Sequence, residues 1–185
     1  MKFRKKLYLY LSENKRATNY PDKMEITFDE HGLIQPKEII EISVEKLHHI
    51  FVEEREEKSY REKLFQRYLT YTASIEKNIG KILFQFVNGS FSTLKEKPKD
   101  IDLVSFIHYS DYKSKQAEIE LFLSDWENVV EIDGFIAPFS YSGHPHFIES
   151  QLSYEYWKSL YSFTRKQENG QSLSKGLIKI NFYDQ

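Results

Sequence analysis

The apolar residues of this chain fall into short runs that predict β-strands. The segments "LYLYL" (7–11) and "MEITF" (24–28) alternate in the way that short strands do, and "NYPD" between them is typical of a turn. Four later runs predict longer strands: "KILFQFV" (81–87), "IDLVSFIHY" (101–109), "NVVEIDGFIAPF" (128–139) and "KGLIKINFY" (175–183).

Helical spacing of apolar residues occurs between these runs. One apolar stripe is formed by Leu64, Tyr68, Tyr71, Ile75 and Ile79, and a shorter one precedes it at Leu47, Ile50 and Phe51. The segment "SDYKSKQAEIELFLSDW" (110–126) predicts a helix with Ser110 or Asp111 as its N-cap, and 148–165 contains a further helical segment.

The order of these elements is helix, strand, strand, helix, strand, helix, strand, which is an α/β or α+β pattern. We predict a mixed, mostly antiparallel sheet flanked by helices. We expect one domain over 1–185, with N-terminal strands and helices in 1–80, a core in 81–138, and a C-terminal helix and strand in 139–185.

Composition narrows the class of protein. With 185 residues, 40% of them hydrophobic, the chain can bury the core of one domain. A net charge of −2 gives no overall reason to expect binding to nucleic acid or to a membrane surface, and without cysteine there are no disulfides or thiolate metal ligands. No apolar run is long enough for a membrane span or a signal peptide, so we expect a cytoplasmic protein.

The candidate chemistry lies in "VNGSFSTLKEKPKDIDLVSF" (87–106). Asp100 and Asp102 are two residues apart at the start of an apolar strand, so their side chains point to the same face. Two carboxylates repel each other there, and a divalent cation resolves the conflict by neutralising both. Mg²⁺ prefers carboxylate oxygens together with substrate phosphates, so the pair predicts half of a magnesium–nucleotide site.

The residues upstream of the pair suit a phosphate. Gly89 lets the backbone approach closely, and Ser90 adds a hydroxyl donor. Positive charge follows in the loop, from Lys95, Lys97 and Lys99.

A third carboxylate comes from the next predicted strand, where Glu131 and Asp133 lie two residues apart on one face. Either can reach the same cation if the two strands are neighbours. We favour Asp133, which lies deeper in the apolar segment, and the hypothesis fails if its strand does not lie beside that of Asp102.

The whole arrangement resembles the DNA polymerase beta-type nucleotidyltransferase superfamily, especially its minimal bacterial members. Their signature is an apolar residue, Gly, then Gly or Ser, a gap of similar length, and Asp-apolar-Asp. Gly89, Ser90, Asp100 and Asp102 match it, and the likeness covers 81–138 through "FVNGSF", "KPKDIDLVSF" and "VVEIDGF". Beyond it, "FDEHGLIQP" and "YWKSLYSFTRKQ" with "KGLIKINF" look similar to a poorly characterised bacterial group with the same core.

The resemblance implies a mechanism. Magnesium, or manganese, would be held by Asp100, Asp102 and Asp133, and would bind the triphosphate of ATP or another nucleotide. Gly89 and Ser90 would hold the β- and γ-phosphates beside the positive charge of Lys99. An acceptor hydroxyl would attack the α-phosphorus, pyrophosphate would leave, and Asp133 would assist deprotonation of the acceptor.

The acceptor stays open. The resemblance to relatives that act as antitoxins suggests a Tyr, Ser or Thr hydroxyl on a cognate toxin, while an RNA 3′ end or a small molecule such as an aminoglycoside suits the same chemistry. The alternative is a regulatory or antitoxin protein that binds a nucleotide or partner without turnover. A third hypothesis is an unrelated α/β protein whose acids cap the surface.

Three further groups have ordinary interpretations that we prefer. His144 and His146 in "SGHPHF" indicate a surface loop rather than a metal pair. The cations Arg165, Lys166 and Lys175 are typical of a helix end, although they could also touch a triphosphate. The aromatic residues near the C-terminus favour core packing over stacking on a base: Tyr154, Tyr156, Trp157, Tyr161 and Phe163.

Overall fold

The computed structural model of the protein describes residues 25–165 and 170–182. The strand predicted at 7–11, the "NYPD" turn and Lys166 lie outside these residues. Within them the predicted order of helices and strands from residue 58 onward is confirmed.

The described residues contain seven strands and five helices. The strands are β1 (Thr27–Phe28), β2 (Ile34–Gln35), β3 (Ile39–Glu41), β4 (Ile82–Asn88), β5 (Ile101–His108), β6 (Ile132–Phe139) and β7 (Leu177–Asn181). The helices are α1 (Val44–His48), which continues into a π-helical turn (His49–Glu53), then α2 (Lys58–Asn78), α3 (Tyr109–Ser114), α4 (Gln116–Glu127) and α5 (Phe147–Tyr161).

Five of the strands form one mixed sheet in the order β3-β7-β4-β5-β6, and β1 pairs with β2 in a separate antiparallel ribbon. In the large sheet β4 is antiparallel to both β5 and β7, whereas β3 is parallel to β7 and β6 is parallel to β5. The mixed sheet flanked by helices is therefore confirmed, but its pairings divide equally between the two kinds instead of being mostly antiparallel.

One side of the sheet, called the packed face below, is covered by three helices. Its strand residues, such as Leu103, Ile107 and Ile136, are buried in a single hydrophobic cluster with side chains from α1, α2 and α4. The apolar stripe predicted for α2 accounts for this, because Leu64, Tyr68, Tyr71 and Ile75 all belong to the cluster.

A polar network lies within the packed face and satisfies its own hydrogen bonds. The Gln85 side chain accepts a hydrogen bond from the Tyr68 hydroxyl at 2.9 Å and donates to the hydroxyls of Ser105 at 2.9 Å and Thr72 at 3.2 Å. Buried polar groups that are paired in this way tie α2 to β4 and β5 without an uncompensated desolvation cost.

The other side, called the open face, is covered by α5. Phe84, Phe86, Val104 and Phe106 form a second buried cluster there, against Tyr154, Trp157 and Tyr161 of the helix. The outward side of α5 remains apolar, because four large side chains on it are exposed to solvent: Ile148, Leu152, Tyr156 and Leu160.

The helix predicted over 110–126 is divided at Lys115 into α3 and α4. Its N-cap is His108, whose ring nitrogen accepts a hydrogen bond from the Ser110 backbone N–H at 3.3 Å, so the expected cap at Ser110 or Asp111 is wrong. Across the described parts of the chain, none of the helices combines the length and apolar character needed to cross a bilayer.

Candidate active site

The two strands that carry the predicted acids are direct neighbours. In the parallel pair of β5 and β6, Asp102 lies opposite Asp133, and both side chains point to the open face. This is the juxtaposition on which the metal hypothesis depends. Glu131 precedes β6 and is not among the described residues that line the cavity at this end of the sheet, so Asp133 is the partner of Asp102.

Gly89 follows β4 at the point where Asn88 pairs with Asp102. Its φ of +76° is a left-handed backbone conformation that residues other than glycine rarely adopt. A Cβ atom at this position would lie 1.6 Å from Oδ2 of Asp102. The backbone of the Gly-Ser turn therefore lies directly against the carboxylate, which explains why the sequence needs glycine here.

All six of the predicted site residues line one cavity of about 680 Å³. They are Gly89, Ser90, Lys99, Asp100, Asp102 and Asp133. Lys95 also lines the cavity, whereas Lys97 forms an ion pair with Glu57 at 3.1 Å, outside it. A turn, a loop and two strands thus converge on a single concave site, which is where ligands are most often bound.

The two aspartates differ in their surroundings. The Asp102 side chain is only 14% exposed, and burial, reinforced by the charges of Asp100 and Asp133, raises its pKa to about 6. The Asp133 side chain is 44% exposed. A buried carboxylate beside two others is stabilised by any cation that enters the site.

One cation of the protein lies close to both acids, and a second lies at the cavity wall. Nη2 of Arg165 lies 3.5 Å from Oδ1 of Asp102 and 3.9 Å from Oδ2 of Asp133. Lys175 is buried at the cavity wall, where its backbone N–H donates to the Ser162 carbonyl, and desolvation lowers its pKa to about 8 despite the charge of Asp102. Both line the cavity, so their interpretation as ordinary helix-end cations is wrong.

Buried polar atoms without a partner also face this region. The Tyr161 hydroxyl and Oδ1 of Asn88 accept and donate no hydrogen bond, although both residues line the cavity. Burial, and after it the charges of Asp102 and Asp133, raise the pKa of Tyr161, so the hydroxyl stays protonated and available as a donor. Buried polar groups without a partner are rare in folded proteins, so the two atoms mark this end of the sheet as a candidate functional region.

The loop after the Gly-Ser turn is held by a buried arginine. The guanidinium of Arg61, on α2, donates to the carbonyls of Phe51 at 2.9 Å, Phe91 at 2.8 Å and Thr93 at 3.0 Å, and also to that of Lys95. Burial lowers its pKa to about 10, which still leaves it charged at neutral pH. Arg61 therefore fixes the path of the chain between Gly89 and the two aspartates.

The sequence contains one signal that could have identified Arg61 as a buried, functionally placed residue. It lies three and four residues before Leu64 and Phe65, so it is a charged residue on the apolar stripe of α2. Three of its four carbonyl partners, Phe91, Thr93 and Lys95, are 30 to 34 residues away along the chain, and nothing in the local sequence identifies them.

The aromatic residues near the C-terminus divide into two groups. Tyr154, Trp157 and Tyr161 pack against the open face, as expected for core residues. Tyr156 and Phe163, however, are 61% and 47% exposed and line the cavity together with Phe135 and Leu160, so core packing is the wrong interpretation for these two. Together with Phe135 and Leu160 they form an apolar part of the cavity lining, called the apolar wall below.

The histidine pair lies elsewhere. His144 and His146 contact His108 and Tyr109, at the end of β5 opposite to Asp102, and the Tyr109 ring stacks on that of His146 at 4.3 Å. His146 also lies 3.3 Å from Glu149. The surface-loop interpretation is consistent with this, and the pair takes no part in the cavity.

The donor chemistry of the cavity fits a magnesium ion that a substrate also helps to hold. Among residues 25–165 and 170–182 no three or more His, Asp or Glu side chains are grouped so that they could hold a metal ion by themselves. Mg²⁺, however, is commonly bound through one or two carboxylates plus substrate phosphates and waters. Asp102 and Asp133 supply such a pair, and the Arg165 guanidinium already acts as a cation between them.

Comparison with known proteins identifies a family. Residues 26–181 match the family of unknown function DUF6932, and the chain belongs to it. Neither the curated proteins nor the solved structures contain a match to this chain.

Proposed function

We propose that the protein is a magnesium-dependent nucleotidyltransferase with the polymerase beta-type core that its motifs resemble. One observation carries the proposal: Asp102 and Asp133 lie opposite each other on parallel strands, in the same cavity as the Gly89–Ser90 turn. Two acids and a glycine turn that come from three separate segments are the parts that this chemistry requires.

Each part has a role in the proposed reaction. Asp102 and Asp133, with Asp100 beside them, would hold magnesium, which would supply positive charge to stabilise the attacking and leaving oxygens. Gly89 and Ser90 offer backbone N–H groups and a hydroxyl to the β- and γ-phosphates, with Lys99 nearby. Manganese suits the same oxygen donors.

The reaction is a substitution at phosphorus. The acceptor oxygen forms a bond to the α-phosphorus, the bond from that phosphorus to the bridging oxygen breaks, and pyrophosphate leaves with its electron pair. The acceptor proton passes to Asp133, the more exposed carboxylate of the pair.

The apolar wall provides a binding surface for the nucleoside in the same cavity as the acids. Tyr156 and Phe163 are exposed rings in the cavity, and aromatic side chains bind nucleobases by stacking. We propose ATP as the nucleotide, since it would be available to the protein in the cytoplasm where we expect it to lie. For the acceptor we propose a hydroxyl group on a protein such as a cognate toxin, on RNA or on a small molecule.

Binding and transfer are best measured on one set of variants. Calorimetry with ATP and magnesium measures binding, and α-labelled ATP offered with candidate proteins, RNA and aminoglycosides measures transfer. We expect Asp102→Asn and Asp133→Asn each to reduce transfer at least about a hundredfold. Glu131→Gln removes an equal charge next to the same strand but outside the cavity, and should retain transfer.

The results separate the hypotheses. Equal loss in Glu131→Gln and Asp133→Asn would overturn the assignment of the third carboxylate. Unchanged transfer in Asp102→Asn would overturn the active site as a whole.

A second candidate function is binding without turnover, as in a regulatory protein or antitoxin with this fold. It is favoured by the outward side of α5, where Ile148, Leu152, Tyr156 and Leu160 are exposed, since contiguous exposed apolar residues often mark a protein interface. Magnesium-dependent binding of ATP with no labelled product on any acceptor would support this candidate over the first.

A further inference from the structure

Arg165 holds an unusual position in the cavity. A single guanidinium nitrogen, Nη2, lies between the carboxylates of the two opposed strands, 3.5 Å from Asp102 and 3.9 Å from Asp133. This is the space that a cation shared by both acids would fill. The guanidinium and a divalent cation cannot lie there together, because each would repel and sterically exclude the other.

The contact of Arg165 with the acids is loose. Charge-assisted hydrogen bonds between nitrogen and carboxylate are about 2.7–2.9 Å long, and both distances here exceed that range. The side chain is also 89% exposed, and ion pairs with so exposed a partner contribute little to stability. Displacement of the guanidinium from the carboxylates therefore has a small free-energy cost.

The backbone beside Arg165, by contrast, is fixed. The Thr164 backbone N–H donates to the Leu173 carbonyl, and the Leu173 N–H donates to the Thr164 hydroxyl, both at 2.9 Å. The preceding residue, Phe163, forms a bridge with Ser174. A displaced side chain therefore rotates about an anchored backbone, next to the cavity that Gly89 and Ser90 also line.

We propose that Arg165 competes with the divalent cation for Asp102 and Asp133, and binds the phosphates of the nucleotide once that cation has displaced it. This inference rests on the proposed function, since it assigns a residue to the same nucleotide site. Planar guanidinium groups bind phosphate with two parallel hydrogen bonds, so the displaced side chain has a strong anionic partner only when a nucleotide is present.

Competition and phosphate binding predict effects of opposite sign for one substitution. Arg165→Ala removes the competitor, so divalent cations alone should bind more tightly. The same change removes a phosphate contact, so the nucleotide should bind more weakly. A residue with a purely structural role would weaken both or neither.

The experiment uses the full chain and two probes. Mn²⁺ alone is titrated with free manganese followed by electron paramagnetic resonance, and a non-hydrolysable ATP analogue with magnesium is titrated by calorimetry. For Arg165→Ala we expect Mn²⁺ affinity to rise about two- to fivefold and affinity for the analogue to fall about tenfold or more. Arg165→Lys keeps the charge without the planar fork and should lie between Arg165→Ala and the unchanged protein in both titrations.

The control is Lys113→Ala, which removes one positive charge from an exposed position on α3, outside the cavity, and should alter neither affinity. Thermal unfolding of each variant confirms that the fold is retained. Weaker binding of both probes by Arg165→Ala, or no change in either, would overturn the inference while leaving the proposed function intact. If the unchanged protein binds neither Mn²⁺ nor the analogue, the proposed function itself fails, and the inference with it.

Discussion

The packed face and the open face of the same sheet treat their polar groups in opposite ways. On the packed face, Gln85 is fully buried and its amide is paired with three hydroxyls. On the open face, Asp102 is mostly buried beside two other acids, and the Tyr161 hydroxyl has no partner. Tyr71, whose buried hydroxyl is also unpaired, is an exception on the packed face.

This difference separates stabilising residues from those that bind. Paired polar groups lower the free energy of the folded chain, whereas unpaired or mutually repelling ones raise it. A folded protein retains the second kind where a ligand completes them. The comparison therefore predicts that replacing a polar residue lowers the stability of the protein when the residue lies on the packed face. On the open face the same kind of replacement should leave stability unchanged or increase it.

The largest effect is expected at Arg61, which belongs to the packed side through α2. Arg61→Met leaves four carbonyls without their donor and should lower the free energy of unfolding by roughly 3–5 kcal/mol. Arg67→Met, at an exposed position of the same helix, should change it by less than about 0.5 kcal/mol. Chemical denaturation measures both, and equal effects would mean that the carbonyl contacts are not stabilising.

A smaller effect of opposite sign is expected at Asp102. The pKa of its carboxyl group is about 6 in the folded protein against an ordinary value of 3.8, so the folded form binds more protons between these values. Stability should therefore decline as the pH rises from about 4 to about 6.

Asp102→Asn removes this cost and should raise the free energy of unfolding at pH 7 by about 1–3 kcal/mol, measured with a chelator present. The stabilised variant should at the same time lose nucleotide binding. Asp125→Asn, on the exposed side of α4, removes one charge without burial and serves as the control. If the Asp102→Asn protein were less stable, the unfavourable burial and repulsion that we infer for the Asp102 carboxylate would be wrong.

The smallest effect comes from one pair of matched substitutions. Tyr68→Phe removes a hydroxyl that donates to Gln85 and should cost about 1–2 kcal/mol. Tyr161→Phe removes a buried hydroxyl without a partner and should change stability by less than about 0.5 kcal/mol, or increase it. Thermal and denaturant unfolding measure both variants, in which the chemical change is identical. Equal losses of stability would contradict the difference that we infer between the two faces.

Much of the site could be predicted from the sequence because its glycine turn and two of its acids lie within residues 89–102, and its third acid lies in the next predicted strand. Strand alternation places Asp100 and Asp102 on one face of the first strand, and Glu131 and Asp133 on one face of the next. The sequence left open whether Glu131 or Asp133 is the third carboxylate. That choice depends on the register between β5 and β6, two strands about thirty residues apart in the chain.

The residues that the sequence missed or misjudged share one property. Arg61 was missed, and Arg165 and Lys175 were given an ordinary interpretation, because all three interact with distant segments while their local surroundings look ordinary. The near-helical spacing of the aromatic residues predicts core packing for Tyr156, yet its own side of α5 faces solvent and the cavity. Periodicity predicts that a helix has an apolar side but not which element, if any, will cover it.

By itself, the sequence determined the order of the helices and strands from residue 58 onward and the segments that bear the glycine turn and the acids, because these follow from local spacing and backbone preference. Only the tertiary structure decided that Asp133 lies opposite Asp102, that Gly89 presses against that carboxylate, and that Arg165 lies between the two acids. Strand register and long-range charge contacts minimise the energy of the whole fold, and no short stretch of sequence encodes them alone.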